Sequence, residues 1–216
     1  MRQPAARRLQ RAAAAAVAVT ALTLAVAGCG GGDSGTKVVT VDASAAAVPP
    51  GAGRPVTNPQ PAADFALRDQ RGDLIRLSAL RGKTVVIAFL YTQCPDVCPL
   101  IAESLNQALR DLGPARKDVR VLGISVDPEG DTPSAVRSFA AIHRLLPQFH
   151  YLTGTRAELE QVWKDYFVAV ADRDDPIVDH SAYELLVDAE GIGRIRYDSE
   201  VRPEAVVSDI KALAAG

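Results

Sequence analysis

The chain has 216 residues, 48% of them hydrophobic, and a formal net charge of −2. That length supports one globular domain with a substantial core plus tails, and a near-neutral balance without a clustered basic excess argues against nucleic-acid binding. Met1 is the only methionine, so a folded domain has no methionine to offer as a soft metal ligand.

The N-terminus reads as a targeting segment. Arg2, Arg7, Arg8 and Arg11 flank an uncharged apolar stretch, residues 12–27, that is short for a spanning helix. It ends in Val26-Ala27-Gly28-Cys29, small residues before a cysteine as in a bacterial lipobox. Residues 1–28 are therefore expected to be a lipoprotein-type signal peptide, with Cys29 acylated as the mature N-terminus. An uncleaved anchor helix is the alternative, and the residues around Arg7-Arg8 fit a twin-arginine signal poorly. Both readings leave the domain outside the cytoplasm and tethered to the cell membrane. Residues 29–62, rich in Gly, Ala and Pro, read as a flexible tether, and residues 63–216 as the folded domain.

Within that domain, FALRDQRGDLIRL (65–77) predicts two short strands around the turn Gln70–Asp73. TVVIAFLY (84–91) predicts a central strand buried on both faces. A helix follows from Pro99 to about Leu112, with Leu100, Ile101, Leu105 and Leu109 on one side and Gly113-Pro114 as its stop. VRVLGISV (119–126) is a second buried strand, and Thr132-Pro133 opens a helix to about Leu146. Thr155 and Glu158 form a capping box before a helix over 156–166. Residues 183–188 and 192–197 read as a hairpin, and the last helix runs from Pro203 to about Leu213. This order predicts an α/β, thioredoxin-like fold: a mixed central sheet flanked by helices, with an added N-terminal β-hairpin.

Two of the three cysteines lie in YTQCPDVCP (91–99), at the carboxyl end of the first central strand, where α/β sheets collect ligands. Cys94 and Cys98 are three residues apart, not two as in a thioredoxin dithiol. Pro99 suits the first helical position, which sets Cys98 at the cap and Cys94 in the loop before it. There the helix dipole favours thiolates, the reactive and metal-binding form. With Cys29 lipidated, these two are the only thiols left. Three uses fit them. A structural disulfide would close a loop too small to remove much unfolded-chain entropy. A dithiol reductase or peroxidase would use their oxidation. A metal site would need a further ligand from elsewhere.

Only three histidines are available. His143, in the helix 133–146, and His150, in the short segment Phe149–Leu152, read as structural. His180 lies in IVDHSAYELLVD just before the 183–188 strand, in a loop with Asp172, Asp174, Asp175 and Asp179. In a thioredoxin-like sheet that turn packs beside the dithiol loop. Two thiolates and an imidazole lack the fourth ligand of structural zinc, while the thiolates favour cuprous and the imidazole also suits cupric copper. Asp127 could orient such a site or simply form the Asp-Pro turn of SVDP, and Asp96 reads as a solvated charge.

VVIAFLYTQCPDVCP (85–99), GISVDPEGDTP (123–133), YLTGT (151–155) and VDHSAYELLVDAEG (178–191) together resemble the Sco/SenC copper chaperones, over roughly residues 60–215. The resemblance implies a thioredoxin-like, membrane-tethered protein that binds Cu(I) and Cu(II) through Cys94, Cys98 and His180. It implies a role in assembling the dinuclear copper site of cytochrome c oxidase subunit II, with copper from a donor protein. It also implies the alternative of a thiol–disulfide oxidoreductase that keeps the acceptor's copper-ligand cysteines reduced, with Cys94 and Cys98 cycling through a disulfide. Leu90 and Gln93 stand where many members carry a small or polar residue and His or Arg, respectively.

Overall fold

A computed structural model describes residues 52–171, 180 and 183–215. The signal segment, Cys29, most of the tether and the acidic residues Asp172, Asp174, Asp175 and Asp179 lie outside them. Three short strands come first: β1 (Arg54–Pro55), β2 (Ala66–Asp69) and β3 (Leu74–Arg76). The β-branched run then forms β4 (Thr84–Leu90), and Val85 through Leu90 are all at most 2% exposed. Each such Val, Ile, Phe or Leu contributes about 1.5–3 kcal/mol by leaving water, so this strand is the axis of the core. There follow α1 (Val97–Asp111), β5 (Val119–Ser125), α2 (Pro133–Ile142), β6 (Phe149–Thr153), α3 (Arg156–Asp165), β7 (Glu184–Val187), β8 (Gly193–Tyr197) and α4 (Pro203–Ala215).

The eight strands among the described residues form one mixed sheet in the order β1-β8-β7-β4-β5-β6-β2-β3. β4, β5 and β6 run parallel, and β7 is antiparallel to β4. Parallel strands need crossover connections, and α1 and α2 supply them. The expected N-terminal hairpin, β2–β3, extends the sheet beyond β6. All described residues belong to one compact unit.

Helices cover both faces. α1 packs against α4, and the buried Asn106 of α1 donates to the carbonyls of His143 and Arg144 (3.3 and 3.0 Å) and accepts from the Leu146 N–H (2.9 Å). That side chain ties the end of α2 to the same face. Phe139 of α2 packs edge-on against Tyr151. Phe89, Ile124 and Leu152 share a register row, so Phe89 and Tyr151 project to opposite faces. On the Phe89 face, Tyr166 at the end of α3 packs on Phe89 and Phe65.

Several boundaries differ from the sequence reading. Residues 54–62, expected as the end of the tether, lie along β8: the Val56 N–H donates to Arg194 O (2.8 Å), and Gly193 N donates to Gln60 O (3.0 Å). Apolar patterning is weak there, and the segment is held by sheet-edge backbone pairing, which composition does not report. α2 stops at Ile142, where His143 caps it, four residues before the expected Leu146. Phe149–Thr153 is a strand parallel to β5, although its unalternating run reads only as a short segment. The stop after α1 and the capping box of α3 follow the sequence: Gly113 takes φ 55°, a left-handed conformation natural to glycine, and Thr155 and Glu158 bond reciprocally.

One buried charge site is not legible in the sequence. Glu184 is 1% exposed, and its Oε2 has no hydrogen-bond partner among the described residues. Burial first, and the nearby Asp198 second, push its carboxyl well above the usual range. A group held neutral in the fold but ionised when unfolded favours unfolding as pH rises through its unfolded value. Glu184→Gln is therefore expected to raise the melting temperature near neutral pH and to change little below pH ~4, where both states are protonated. Thermal melts of the two chains across that range check it.

Candidate metal centre

The chain leaves β4 at Leu90 and crosses to α1 through Tyr91–Asp96. The ladder with β5 extends one bond further, from Val126 N to Leu90 O (2.9 Å). Thr92 N then turns inward to the Oδ1 atom of Asp131 (2.8 Å), and the Cys94 N–H reaches Tyr91 O (3.3 Å). The Cys98 N–H points back to the Cys94 sulfur at 3.4 Å. This last contact corrects the expected helix start. α1 opens at Val97, so Cys98 lies in the first turn and Pro99 is the third helical residue. Proline costs little there, because the first N–H groups of a helix lack intrahelical partners.

Both cysteines are free thiols in this structure, 9% and 0% exposed for Cys94 and Cys98. Their acidities diverge, where the sequence reading expected the helix end to favour both thiolates. Burial works to raise Cys94, but hydrogen bonds from the Cys98 thiol, the Asp96 and Cys98 N–H groups and the Tyr91 hydroxyl outweigh it and bring the thiol below its ordinary value. Burial pushes Cys98 far up, and the neighbouring Cys94 and Asp131 charges add to this. Cys94, the slightly more accessible sulfur, is the more acidic of the two, and the fully buried Cys98 thiol donates to it.

A native-state alkylation experiment reads this division directly. At pH 8 Cys94 is expected to react with iodoacetamide at least about tenfold faster than Cys98, because only the ionised, reachable sulfur is the nucleophile. The difference is expected to vanish in denaturant. Peptide mapping by mass spectrometry distinguishes the two sites, and equal native rates would refute the assignment.

His180 stands beside this loop. It is half-buried, pairs with Val170 in an isolated antiparallel bridge, and meets the Tyr91 ring edge-on with centroids 6.0 Å apart. Tyr91, itself 2% exposed, thus touches both Cys94 and His180. Among the described residues no three His, Cys, Asp or Glu side chains converge closely enough to hold an ion. The structure brings the two thiols together and packs the imidazole against Tyr91, which also hydrogen-bonds Cys94.

The other histidines are structural. His143 Nδ1 pairs with Glu103 Oε1 at 2.8 Å, and His150 Nδ1 lies 3.0 Å from Asp69 Oδ2 within an Asp69–Arg71 ion pair. Asp127 is buried and accepts from Gly130 N (3.0 Å). Its carboxylate and the Gln93 amide leave no room at Gly130, where a Cβ would fall 2.1 Å from Asp127 Oδ2 and 3.1 Å from Gln93 Nε2. Asp96 caps α1 by position without a side-chain hydrogen bond. Two residues of this region escaped the sequence reading, Tyr91 and Asp131. Both lie inside the quoted motifs, but nothing local distinguishes them from a strand-end aromatic and a turn aspartate.

A mixed thioredoxin-like sheet with a dithiol where a parallel strand meets its helix defines a thiol-bearing binding or exchange domain. Comparison with known proteins narrows the class. The SCO1/SenC family profile matches residues 54–215, and the chain belongs to that family. An SCO2-like protein of Rickettsia conorii is 33% identical over 134 residues, 59% of this chain and 64% of that protein, so the match spans just under two thirds of its length. The structure of Bradyrhizobium japonicum ScoI with copper bound is 32% identical with a TM-score of 0.63, covering 71% of this chain and 99% of that one. BsSco, a member of the Sco family of cytochrome c oxidase assembly proteins in which a disulfide switch was identified, is 26% identical with a TM-score of 0.63, covering 74% of this chain and 98% of that one.

Proposed function

We propose that this protein is an extracytoplasmic copper carrier, anchored to the cell membrane through Cys29, that delivers copper to the dinuclear site of cytochrome c oxidase subunit II. The observation that carries the reading is the pair of reduced, adjacent thiols with an imidazole packed against the same loop. Cys94 and Cys98 bind the cargo as thiolates and His180 as neutral imidazole, an N and S set that accommodates both Cu(I) and Cu(II). An open three-ligand set lets a recipient's thiols share the ion and take it over. Family membership and the copper-bound relative support the same conclusion.

Copper titration of the reduced chain and of His180→Ala tests it. The expected result is one Cu(II) per unchanged chain, with a thiolate charge-transfer band, and loss of that band in the variant while Cu(I) is still held by the two sulfurs. An unchanged Cu(II) spectrum in the variant removes His180 from the site.

A second reading rests on the unequal acidities of the thiols. In a thiol–disulfide oxidoreductase, the Cys94 thiolate attacks an acceptor disulfide and Cys98 resolves the mixed disulfide, leaving the protein oxidised and the acceptor reduced. Fast reduction of an oxidised acceptor peptide by the metal-free dithiol, unaffected by His180→Ala, would favour this role.

A further inference from the structure

The dithiol loop is fastened from beneath by one carboxylate. Asp131 is 2% exposed and lies between β5 and α2, 39 residues from its loop partner. Its Oδ1 accepts the Thr92 N–H (2.8 Å), and its Oδ2 accepts the hydroxyls of Ser125 (2.6 Å) and Tyr151 (3.0 Å). Its own N–H is bound to Asp127 O at 2.8 Å. The acceptor is rigid on both sides: Ser125 O receives the Trp163 indole N–H from α3 (2.9 Å), and Tyr151 is packed on Phe139 of α2. Thr92 is two residues before Cys94. Burying a carboxylate is costly unless its lone pairs are filled, and here the donors come from the loop, β5 and β6 together. Sites that bind or exchange at sulfur need geometry held to fractions of an ångström by such outer hydrogen bonds.

We propose that Asp131 is a positioning residue for the dithiol, fixing the β4–α1 loop and through it the separation of the Cys94 and Cys98 sulfurs. The copper arm of this proposal rests on the carrier reading above; the thiol arm does not. Hydrogen bonds that hold ligand groups in place from outside typically govern metal affinity by 10–100-fold. They also set how readily the two thiols find each other. In exchange with glutathione disulfide, the incoming S–S bond breaks, a Cys94–Cys98 bond forms, and two glutathione thiols leave with the two protons and two electrons.

The test uses the full chain, reduced, with Asp131→Ala, Asp131→Asn and, as a control, Asn106→Ala, whose lost hydrogen bonds join α1 to the end of α2. Two quantities are read: the equilibrium constant with glutathione disulfide, and Cu(I) affinity by competition with a chelator. Asp131→Ala is expected to lower both by about tenfold or more. Asp131→Asn keeps an acceptor oxygen for Thr92 and is expected to recover most of both, while Asn106→Ala loses stability but moves neither. Should Asp131→Ala not fold, Ser125→Ala, which removes one hydroxyl from Oδ2, is expected to shift both quantities in the same direction by less. The proposal is overturned if Asp131→Ala, or in its place Ser125→Ala, moves the two constants no more than Asn106→Ala, or if Asn fails to rescue. If the unchanged chain binds no Cu(I), the carrier reading fails while the glutathione equilibrium still decides the role of Asp131.

Discussion

A chain in which Cys98 is replaced by serine is expected to retain no copper after desalting, where the unchanged chain retains one ion. Serine is near in size, so the 0% exposed site stays filled, but its hydroxyl does not ionise to a soft ligand. The buried Cys98 thiol resists ionisation by itself, so copper must displace its proton, and loading releases acid and weakens as pH falls. Cys94→Ser is expected to lose copper equally. The two variants part company in thiol exchange. With Cys98→Ser, the Cys94 sulfur keeps the backbone N–H donors that make it more acidic, attacks an oxidised acceptor peptide and remains trapped as a mixed disulfide. With Cys94→Ser, the remaining buried thiol traps little. Copper analysis and intact mass report both outcomes, and a variant that still carries one ion at unchanged affinity would rule out its missing sulfur as a ligand.

Phe89→Ala is expected to cost about 3–5 kcal/mol, the range for emptying a large aromatic site. That is a large part of the ~5–15 kcal/mol separating folded from unfolded domains. Phe89 is 1% exposed, with the Tyr166 and Tyr183 rings each 5.9 Å from its own. The Tyr183 hydroxyl donates to Tyr166 O, so the three rings bind the end of α3 and the approach to β7 to the middle of the sheet. His180 sits on the stretch between those two tyrosines. The variant is therefore expected to lose its Cu(II) band before it loses Cu(I) binding, because the imidazole loses its footing while the dithiol loop keeps the Asp131 anchor. Urea titration gives the stability change as a lower midpoint, and the two copper forms are titrated at a urea-free temperature where the variant is folded. A midpoint unchanged from that of the original chain would show that the aromatic cluster does not hold this part of the fold.

Local chemistry made much of the fold legible in advance. A β-branched run without charges has few alternatives to a buried strand, Thr155 and Glu158 mark a helix start by spacing alone, and Gly113 marks a stop because few residues take its backbone angle. The pairing of Cys94 with Cys98 follows from their separation by one turn. These features depend on neighbours a few residues away, and such neighbours are present in any chain with that sequence. Contacts between distant segments decided the rest. The unequal acidities of the two thiols come from differential burial, and Asp131, brought in from beyond β5, adds to the rise at Cys98. The edge position of residues 54–62 comes from open hydrogen bonds on β8, and the raised pKa of the Glu184 carboxyl from the packing around β7. Burial and electric field at an atom are set by whatever part of the chain fills the space around it, and that is settled only when the sheet closes.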